Sequence, residues 1–332
     1  MQDTHISLAH GNGGRYMREL IDEVFARHLA NPLLNTQLDA ASLPAIDGTL
    51  MMTTDGFTVQ PLEFPGGNIG SLAIHGTVND LAVAGAEPLY ITLNAFIEEG
   101  LEITVLDRIV ASLAQAATDA NVVIVAGDTK VLRQGEGGGL YLATTGVGKQ
   151  IINHIDMHKI QPGDQILVSG PVGDHGTAVM LAREQFGLRG DLKSDSACVL
   201  PLTRAIATLP GLRFMRDPTR GGLASVMQEI HQATKLGVRL QQETIPINDP
   251  VNAVCEMLGY DPLYLACEGR VVAVVDSAQA QQLLNAWRQI PSGQQAAIIG
   301  NITEQNYVAL QTPLGGERLL DELEDDPLPR IC

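Results

Sequence analysis

Apolar residues recur at helical spacing in one stretch of the chain, and elsewhere they form short runs that end at glycine or aspartate. After Glu102 the apolar positions follow the three- and four-residue steps of an amphipathic helix, at Ile103, Leu106, Ile109, Val110, Leu113 and Ala117. A second helix is predicted over residues 68–86, where small side chains allow close packing. Strands are predicted at residues 48–59, 88–97, 121–126 and 139–148. The first half of the chain therefore alternates between strands and helices.

The alternation begins again after a polar stretch near residue 155. A strand is predicted at residues 165–169, helices after the turn at 173–176, at 198–209 and at 219–233, and further strands at 237–245, 263–275, 296–302 and 307–312. This organisation predicts an α+β protein with domains at residues 1–155 and 156–312. Residues 313–332 are acidic and contain Pro327 and Pro329, so we expect a mobile C-terminal tail.

Composition narrows the class of protein. The 332 residues include 21 Lys and Arg against 38 Asp and Glu, for a formal charge of −17, which argues against binding to nucleic acid or to anionic membranes. No secretory signal and no membrane-spanning apolar run is evident. Four cysteines, Cys198, Cys255, Cys267 and Cys332, match neither a zinc site nor a disulfide framework. We therefore expect a cytoplasmic protein with reduced thiols.

Three acidic turns in the first half carry the strongest candidate chemistry. Asp55, Asp80 and Asp128 each follow an apolar segment and adjoin small residues. Brought together, three carboxylates would bind Mg²⁺, which would bridge the phosphates of a nucleotide, and Lys130 could neutralise a phosphate. The same aspartates are also common turn-forming and capping residues. Likewise, the glycine-rich residues 11–14 could cover phosphates through main-chain N–H groups or form a flexible terminus.

Three features of the second half each have a functional interpretation and a simpler one. In residues 216–223 (RDPTRGGL), Thr219 could cap a helix whose N-terminus attracts an anion, or the motif could serve capping and packing alone. Glu268 lies between apolar neighbours of a predicted strand, so it is either solvent-facing or a functional carboxylate. Cys332, on the last residue of the predicted tail, suggests a thiol that carries a covalent group between two places. A chance terminal cysteine is the simpler but poorer explanation.

Several motifs together resemble one known family. They are LAHGNGGR, TTDGF, FPGGNIGSLAIHGTVNDLAVAGAEP, GDTKV, DPTRGGL, CEGR and the terminal PRIC. The motifs NDLAVAGAEP and GDT alone indicate the wider PurM-like ATP-binding superfamily. With PRIC, the sequence resembles over nearly its whole length the HypE family, the carbamoyl dehydratases of hydrogenase maturation.

This resemblance implies a fold, a cofactor site and an assembly. The fold would be PurM-like with two α+β domains, and the N-terminal domains of two chains would pair into a homodimer barrel. ATP and Mg²⁺ would lie in a cleft beside that interface. Asp55, Asp80 and Asp128 would be the metal and phosphate carboxylates, and the other nucleotide-binding residues would be Gly11, Gly13, Asn79, Thr129 and Lys130.

The resemblance also implies a reaction. Cys332 would receive a carbamoyl group from the carbamoyltransferase HypF. ATP-dependent dehydration would convert the thiocarboxamide to a thiocyanate, and the cyanide would pass to an iron centre on the HypC–HypD complex. Glu268 is the first candidate for the base that removes the amide protons and His75 the second, and Lys130 completes the catalytic candidates.

Two other functions stay open at this point. The chain could be another PurM-like ATP-dependent enzyme that acts on a small free substrate, such as a ribonucleotide synthetase or a kinase. Alternatively, it could be a non-catalytic scaffold or metal carrier that offers Cys332 as a ligand.

Overall fold

The computed structural model describes residues 3–183, 191–324 and Ile331, and they form two compact units. The first unit contains residues 3–81, 86–150 and Ile331, and the second contains residues 82–85 and 151–324. The chain thus passes from one unit to the other after Gln150, whereas the sequence pattern suggested residue 155.

The first unit has a four-stranded sheet with the strand order β1–β6–β4–β5. A 3-10 turn, Leu8–Gly11, comes first, and a π-helical turn, Ile21–Ala26, joins α1 to α2. The elements are α1 (Arg15–Leu20), α2 (Arg27–Leu29), β1 (Leu50–Phe57), β2 (Glu63–Phe64), β3 (Gly67–Asn68), α3 (Ile69–Val83), β4 (Ala86–Glu98), α4 (Ile103–Asp119), β5 (Val123–Leu132) and β6 (Leu140–Gln150). Only β4 and β5 run parallel in the four-stranded sheet, and β2 and β3 form a separate pair.

Helix α3 packs closely against both the sheet and α4, and small residues make this close packing possible. A side-chain carbon at Gly70 would lie 2.3 Å from the Ile109 carbonyl oxygen of α4. On the sheet side, a side-chain carbon at Gly146 of β6 would lie 2.6 Å from a methyl carbon of Thr77. The predicted helices at residues 68–86 and after Glu102 are therefore confirmed, and the small residues of α3 serve close packing on two sides.

The second unit has a seven-stranded sheet with the order β13–β12–β9–β11–β7–β10–β8. Its elements are β7 (Gln165–Val168), α5 (Asp174–Arg183), α6 (Leu200–Ile206), β8 (Leu212–Arg216), α7 (Gly222–Thr234), β9 (Gly237–Gln241), α8 (Asp249–Leu258), β10 (Val272–Val275), α9 (Ala280–Arg288), β11 (Ala297–Thr303), β12 (Val308–Gln311) and β13 (Glu317–Leu319). The pairing of β12 with β9 is parallel and the other pairings are antiparallel.

Apolar side chains cover this sheet on both faces. One core cluster contains Met227 and Ile230 of α7, and the other contains Leu202 of α6 with Trp287 of α9. Trp287 is fully buried, and its indole Nε1 donates a hydrogen bond to the Leu202 carbonyl at 3.1 Å. Strand β10 contributes residues to both clusters, so both of its faces are buried. For this reason its residues are all apolar and do not alternate with polar ones.

The structure differs from the sequence prediction at several elements of the second unit. The strand expected at residues 263–275 is limited to Val272–Val275, so Glu268 lies in an irregular segment before it. Thr219 does not cap α7, because Gly221 occupies the N-cap position with φ of +71°. Elements β8, α8 and α9 were not predicted.

Described residues of the segment expected as a mobile tail from residue 313 pack against the fold. Strand β13 pairs with β12, and Leu320 is buried, with its N–H donating to the Val308 carbonyl at 3.0 Å. Ile331 is buried at 4 % exposure. In the part of the chain that the structure describes, no helix has the length and apolarity needed to cross a membrane.

Candidate functional site

Asp55 and Asp80 lie on facing surfaces of β1 and α3. The Asp80 carboxylate accepts a hydrogen bond from the Thr53 hydroxyl at 2.9 Å, and Thr53 and Asp55 share one face of β1 because side chains alternate along a strand. The Asp55 carboxylate also accepts the Gly56 N–H at 2.7 Å. Both aspartates are half-buried. Two of the three predicted carboxylates therefore lie on the same side of the sheet.

Gly76 makes room for the Phe57 ring next to Asp55. A side-chain carbon at Gly76 would lie 2.8 Å from that ring and 3.9 Å from Asp55 Oδ2. Asp80 follows one helical turn later, and Asn79 next to it is 1 % exposed. Asp55 and Asp80 thus offer two carboxylate groups on one side of the sheet, and such oxygen ligands suit Mg²⁺.

Strand β5 carries the second group of predicted residues, Asp128, Thr129 and Lys130. Lys130 Nζ lies 2.8 Å from Asp128 Oδ2, and this contact holds the pKa of Asp128 below its usual value. Both side chains are more than half exposed, at 53 % and 62 %. Thr129 is 7 % exposed, and its buried hydroxyl oxygen has no hydrogen-bond partner in the described chain. An unpaired buried hydroxyl is unusual and suits a site that a ligand completes.

The structure does not bring Asp128 to Asp55 and Asp80. Register across the sheet aligns Asp55 with Thr144, Leu93 and Gly127, so Asp128 is in the next row and faces the opposite side. Strands β1 and β5 form opposite edges of the sheet, about 14 Å apart for three inter-strand steps. Among residues 3–183, 191–324 and 331, no three His, Cys, Asp or Glu side chains lie close enough to hold one metal ion. The three-carboxylate metal site therefore stays a prediction, and within one chain the register separates Asp128 from Asp55 and Asp80.

The glycine-rich loop lies against β5. A side-chain carbon at Gly11 would lie 3.0 Å from Cβ of Val131, the neighbour of Lys130. His10, which is fully buried, anchors the start of the loop by accepting the Ser7 N–H at Nδ1, at 3.0 Å. Gly13 has φ of +75° and open space where a side chain would be. The structure thus brings the predicted loop and the predicted strand together.

A cavity of about 150 Å³ opens beside the same strand. Its walls come from the first helical segment, residues 34–41 and β5, and they include Phe25, Leu29, Leu38, Ile124 and Thr129. Apolar walls with a few polar groups are typical of small-molecule sites.

The remaining catalytic candidates lie in different parts of the chain. His75 lies on α3 in the first unit. Glu268 belongs to the second unit, where it is 2 % exposed. Cys332 lies outside the described residues. The sequence analysis did not identify Thr53, which contacts Asp80, or Asp195, which contacts the main chain of Glu268. Asp195 is 73 residues from Glu268, so no local pattern could have paired them.

His75 on α3 is a poor candidate for a base. Burial lowers its pKa to about 4, and the charge of Asp119 offsets only part of this effect. The imidazole is therefore neutral at pH 7 but has little affinity for a proton, which makes it a weak proton acceptor.

We predict that His75 makes the protein less stable in acid. Between pH 6.5 and 4 the unfolded chain binds a proton here that the folded chain does not, so the free energy of unfolding falls as the pH is lowered. For these pKa values the loss from pH 7.5 to pH 5 is about 2 kcal/mol. Urea titrations at pH 7.5 and pH 5 measure the free energy of unfolding at each pH. The loss between the two should be about 2 kcal/mol smaller in His75→Gln than in the wild type. The exposed His5→Gln variant is the control, and equal acid sensitivity in all three proteins would contradict the prediction.

Comparison with known proteins finds relatives that are similar along the whole chain. Residues 38–150 match the AIR synthase related protein family, N-terminal domain, and residues 161–312 match its C-terminal domain. The chain is 44 % identical to the carbamoyl dehydratase HypE of Azotobacter vinelandii, with 100 % of this chain and 98 % of that protein covered.

Two solved structures are similar over most of the chain. A crystal structure of the hydrogenase maturation protein HypE in complex with ATP superposes with a TM-score of 0.93 at 40 % identity, covering 98 % of this chain and 99 % of that one. A HypE–HypF complex gives a TM-score of 0.81 at 41 % identity, covering 92 % and 99 % of the two chains. Identity of this level over the full length shows the family, and the chain belongs to the HypE carbamoyl dehydratases of hydrogenase maturation, with the PurM-like two-domain fold of the AIR synthase related proteins.

Proposed function

We propose that the chain dehydrates a carbamoyl group carried on Cys332 to a thiocyanate, with consumption of ATP, and so supplies the cyanide ligand of a [NiFe]-hydrogenase iron centre. The proposal rests on the burial of Ile331 and on the unit to which this residue belongs. This residue directly precedes Cys332, is 4 % exposed and clusters with the first unit, the unit that contains Asp55, Asp80 and Asp128. A buried residue beside the terminal thiol fits a tail that docks where the nucleotide residues lie.

The nucleotide would bind along β5. The cavity next to this strand has apolar walls for a base, and the buried hydroxyl of Thr129 lacks a protein partner. Lys130 would neutralise a phosphate, and the main-chain N–H groups of residues 11–14 would cover the phosphates. A solved HypE contains ATP, which supports the same ligand here.

Asp55 and Asp80 fit Mg²⁺ without a third carboxylate. Mg²⁺ is commonly held by one or two carboxylates together with substrate phosphates and water. Both carboxylates lie on the same side of the sheet. When bound, the metal ion would supply charge neutralisation for the phosphates. Asp128 and Lys130 lie on the opposite face of the sheet, so a homodimer would have to bring them to the phosphates at this metal ion.

The reaction needs a phosphoryl donor because oxide and hydroxide are poor leaving groups. The thiocarboxamide oxygen attacks the terminal phosphorus of ATP, and ADP leaves. One N–H proton is lost, which gives a phosphorylated S–C=NH group. The C–O bond then breaks with release of phosphate, loss of the second N–H proton completes the C≡N bond, and a base must accept these protons. Glu268 is our candidate, since a buried carboxylate is shielded from competing water.

The assembly would be a homodimer that receives its carbamoyl group from HypF. The open face of the first sheet exposes Leu50 and Met52, at 55 % and 71 %, which favours coverage by another chain. A solved HypE–HypF complex supports HypF as a partner. Transfer of the cyanide to HypC–HypD and activity in the cytoplasm are further expectations. The three described cysteines are free thiols, which is compatible with a reducing compartment.

We predict that Thr129→Val weakens ATP binding without a loss of stability. Valine has the same shape, and the hydroxyl that it removes makes no bond within the described protein. Loss of one hydrogen bond to the nucleotide should raise the Kd for ATP about fivefold, while Tm stays within about 2 °C. Isothermal titration calorimetry and thermal melts measure both. Thr118→Val, on the exposed side of α4, is the control, and unchanged ATP affinity in Thr129→Val would contradict this site.

We predict that Cys332→Ala abolishes carbamoyl-dependent ADP formation and leaves ATP affinity unchanged. Without the thiol no carbamoyl group can be attached, whereas the residues that hold ATP are unaltered. The matched control is Cys198→Ala, which should keep both properties since Cys198 is a half-buried thiol of the second unit. Turnover that survives in Cys332→Ala would instead favour an enzyme that acts on a small free substrate.

A further inference from the structure

The segment that carries Glu268 has no regular secondary structure to hold it. Residues 267–270 lie between the 3-10 turn Pro262–Tyr264 and β10. Nevertheless, Cys267 and Glu268 are buried, at 0 % and 2 % exposure. The main chain of such a segment needs hydrogen-bond partners from elsewhere in the fold.

Asp195 supplies two of these partners. Its Oδ1 accepts the Glu268 N–H and its Oδ2 accepts the Gly269 N–H, each at 3.2 Å. Two successive N–H groups that converge on one carboxylate form a small anion-binding concavity. Beside this contact, the Ala197 N–H donates to the Glu268 carbonyl at 3.4 Å. The main chain of Glu268 is therefore held at both its N–H and its carbonyl by residues 195–197.

Arg270 balances the charge of Asp195. The Asp195 side chain has no exposed surface, and Arg270 Nε lies 3.4 Å from its Oδ2. Arg270 Nη2 lies 3.4 Å from Asp174 Oδ2, and Nε also donates to the Pro171 carbonyl at 2.8 Å. Asn248 donates to both oxygens of Asp174, at 2.9 and 3.0 Å. A buried charge needs such partners, and this network fixes the guanidinium that faces Asp195.

Gly269 makes the contact between the two segments possible. A side-chain carbon at this position would lie 1.9 Å from the Asp195 carbonyl oxygen, which is shorter than any real contact. Only glycine therefore lets residues 195–197 approach the Glu268 main chain this closely. The packing of residues 195–197 against this segment therefore requires a glycine directly after Glu268.

We infer that Asp195 is a positioning residue for Glu268 in the dehydration step. The inference rests on the proposed function, in which Glu268 accepts protons from the carbamoyl nitrogen. Proton transfer requires the base within hydrogen-bond reach of the proton, and a misplacement of about 1 Å can cost up to about a hundredfold in rate. Asp195 touches only the main chain of Glu268 and Gly269 and the guanidinium of Arg270 in the contacts above, so it acts through Glu268.

The test measures the single-turnover rate constant for dehydration on the carbamoylated full-length chain. Asp195→Asn keeps one oxygen that can accept one of the two main-chain N–H groups. Its amide nitrogen replaces the other oxygen, so the second main-chain N–H group loses its acceptor. The matched control is Asp174→Asn, which removes an equal charge beside Arg270 without touching Glu268. Glu268→Gln is the reference for loss of the base. Misfolded molecules lower the amplitude of the reaction and leave the rate constant of the folded ones unchanged, so the rate constant separates positioning from stability.

We expect Asp195→Asn to lower the rate constant at least about tenfold, with the KM for ATP and the loading of Cys332 unchanged and Asp174→Asn within about twofold of the wild type. A wild-type rate constant in Asp195→Asn, together with a slow Glu268→Gln, would overturn the positioning role alone. A wild-type rate constant in Glu268→Gln would overturn the assignment of the base in the proposed function. If no fraction of Asp195→Asn reacts, Asp195→Glu takes its place, since it displaces the carboxylate by one methylene. Asp195→Glu should then dehydrate slowly. A wild-type rate constant in Asp195→Glu would overturn the inference.

Discussion

The arrangement of the first unit depends on one close approach between β4 and β5. At Gly127 a side-chain carbon would lie 2.5 Å from the Leu93 carbonyl oxygen, so only glycine permits this parallel pairing. Strand β5 is an edge strand of the four-stranded sheet, and its position there comes from β4. Asp128, Thr129 and Lys130 follow immediately after the glycine. The absence of one side chain therefore determines where a carboxylate, a buried hydroxyl and an ammonium group are presented.

The alternation of side chains along these strands explains what the sequence could and could not predict. Spacing alone was sufficient for α4, because its buried apolar positions fall on one face of the helix. Spacing also located β1, β4 and β6, and the candidate Asp55 lies on β1. It could not show that Asp55 and Asp128 face opposite sides of the sheet, because the register of strands distant in sequence determines that. The register therefore separates Asp128 from the other two carboxylates within one chain.

In the second unit the errors have a different cause. Residues 263–271 read as a strand because they are apolar, but they are buried as an irregular segment whose hydrogen bonds come from Asp195 and Ala197. Helix α7 begins at Gly222 instead of after Thr219, because Gly221 adopts a left-handed conformation. A side-chain carbon at Gly222 would lie 2.5 Å from the Leu265 carbonyl oxygen. Contacts between distant segments fix both features, and local propensity carries no information about them.

We propose that the terminal thiol carries the group that reacts, and a measurement of the mass of the intact chain can test this role. The chain is loaded with a carbamoyl donor and HypF, purified away from them, and weighed before and after addition of Mg-ATP. We predict an adduct of one carbamoyl group on Cys332 that loses the mass of one water only when ATP is added. A chain that stays unmodified at Cys332, or an adduct whose mass does not change with ATP, would contradict the account.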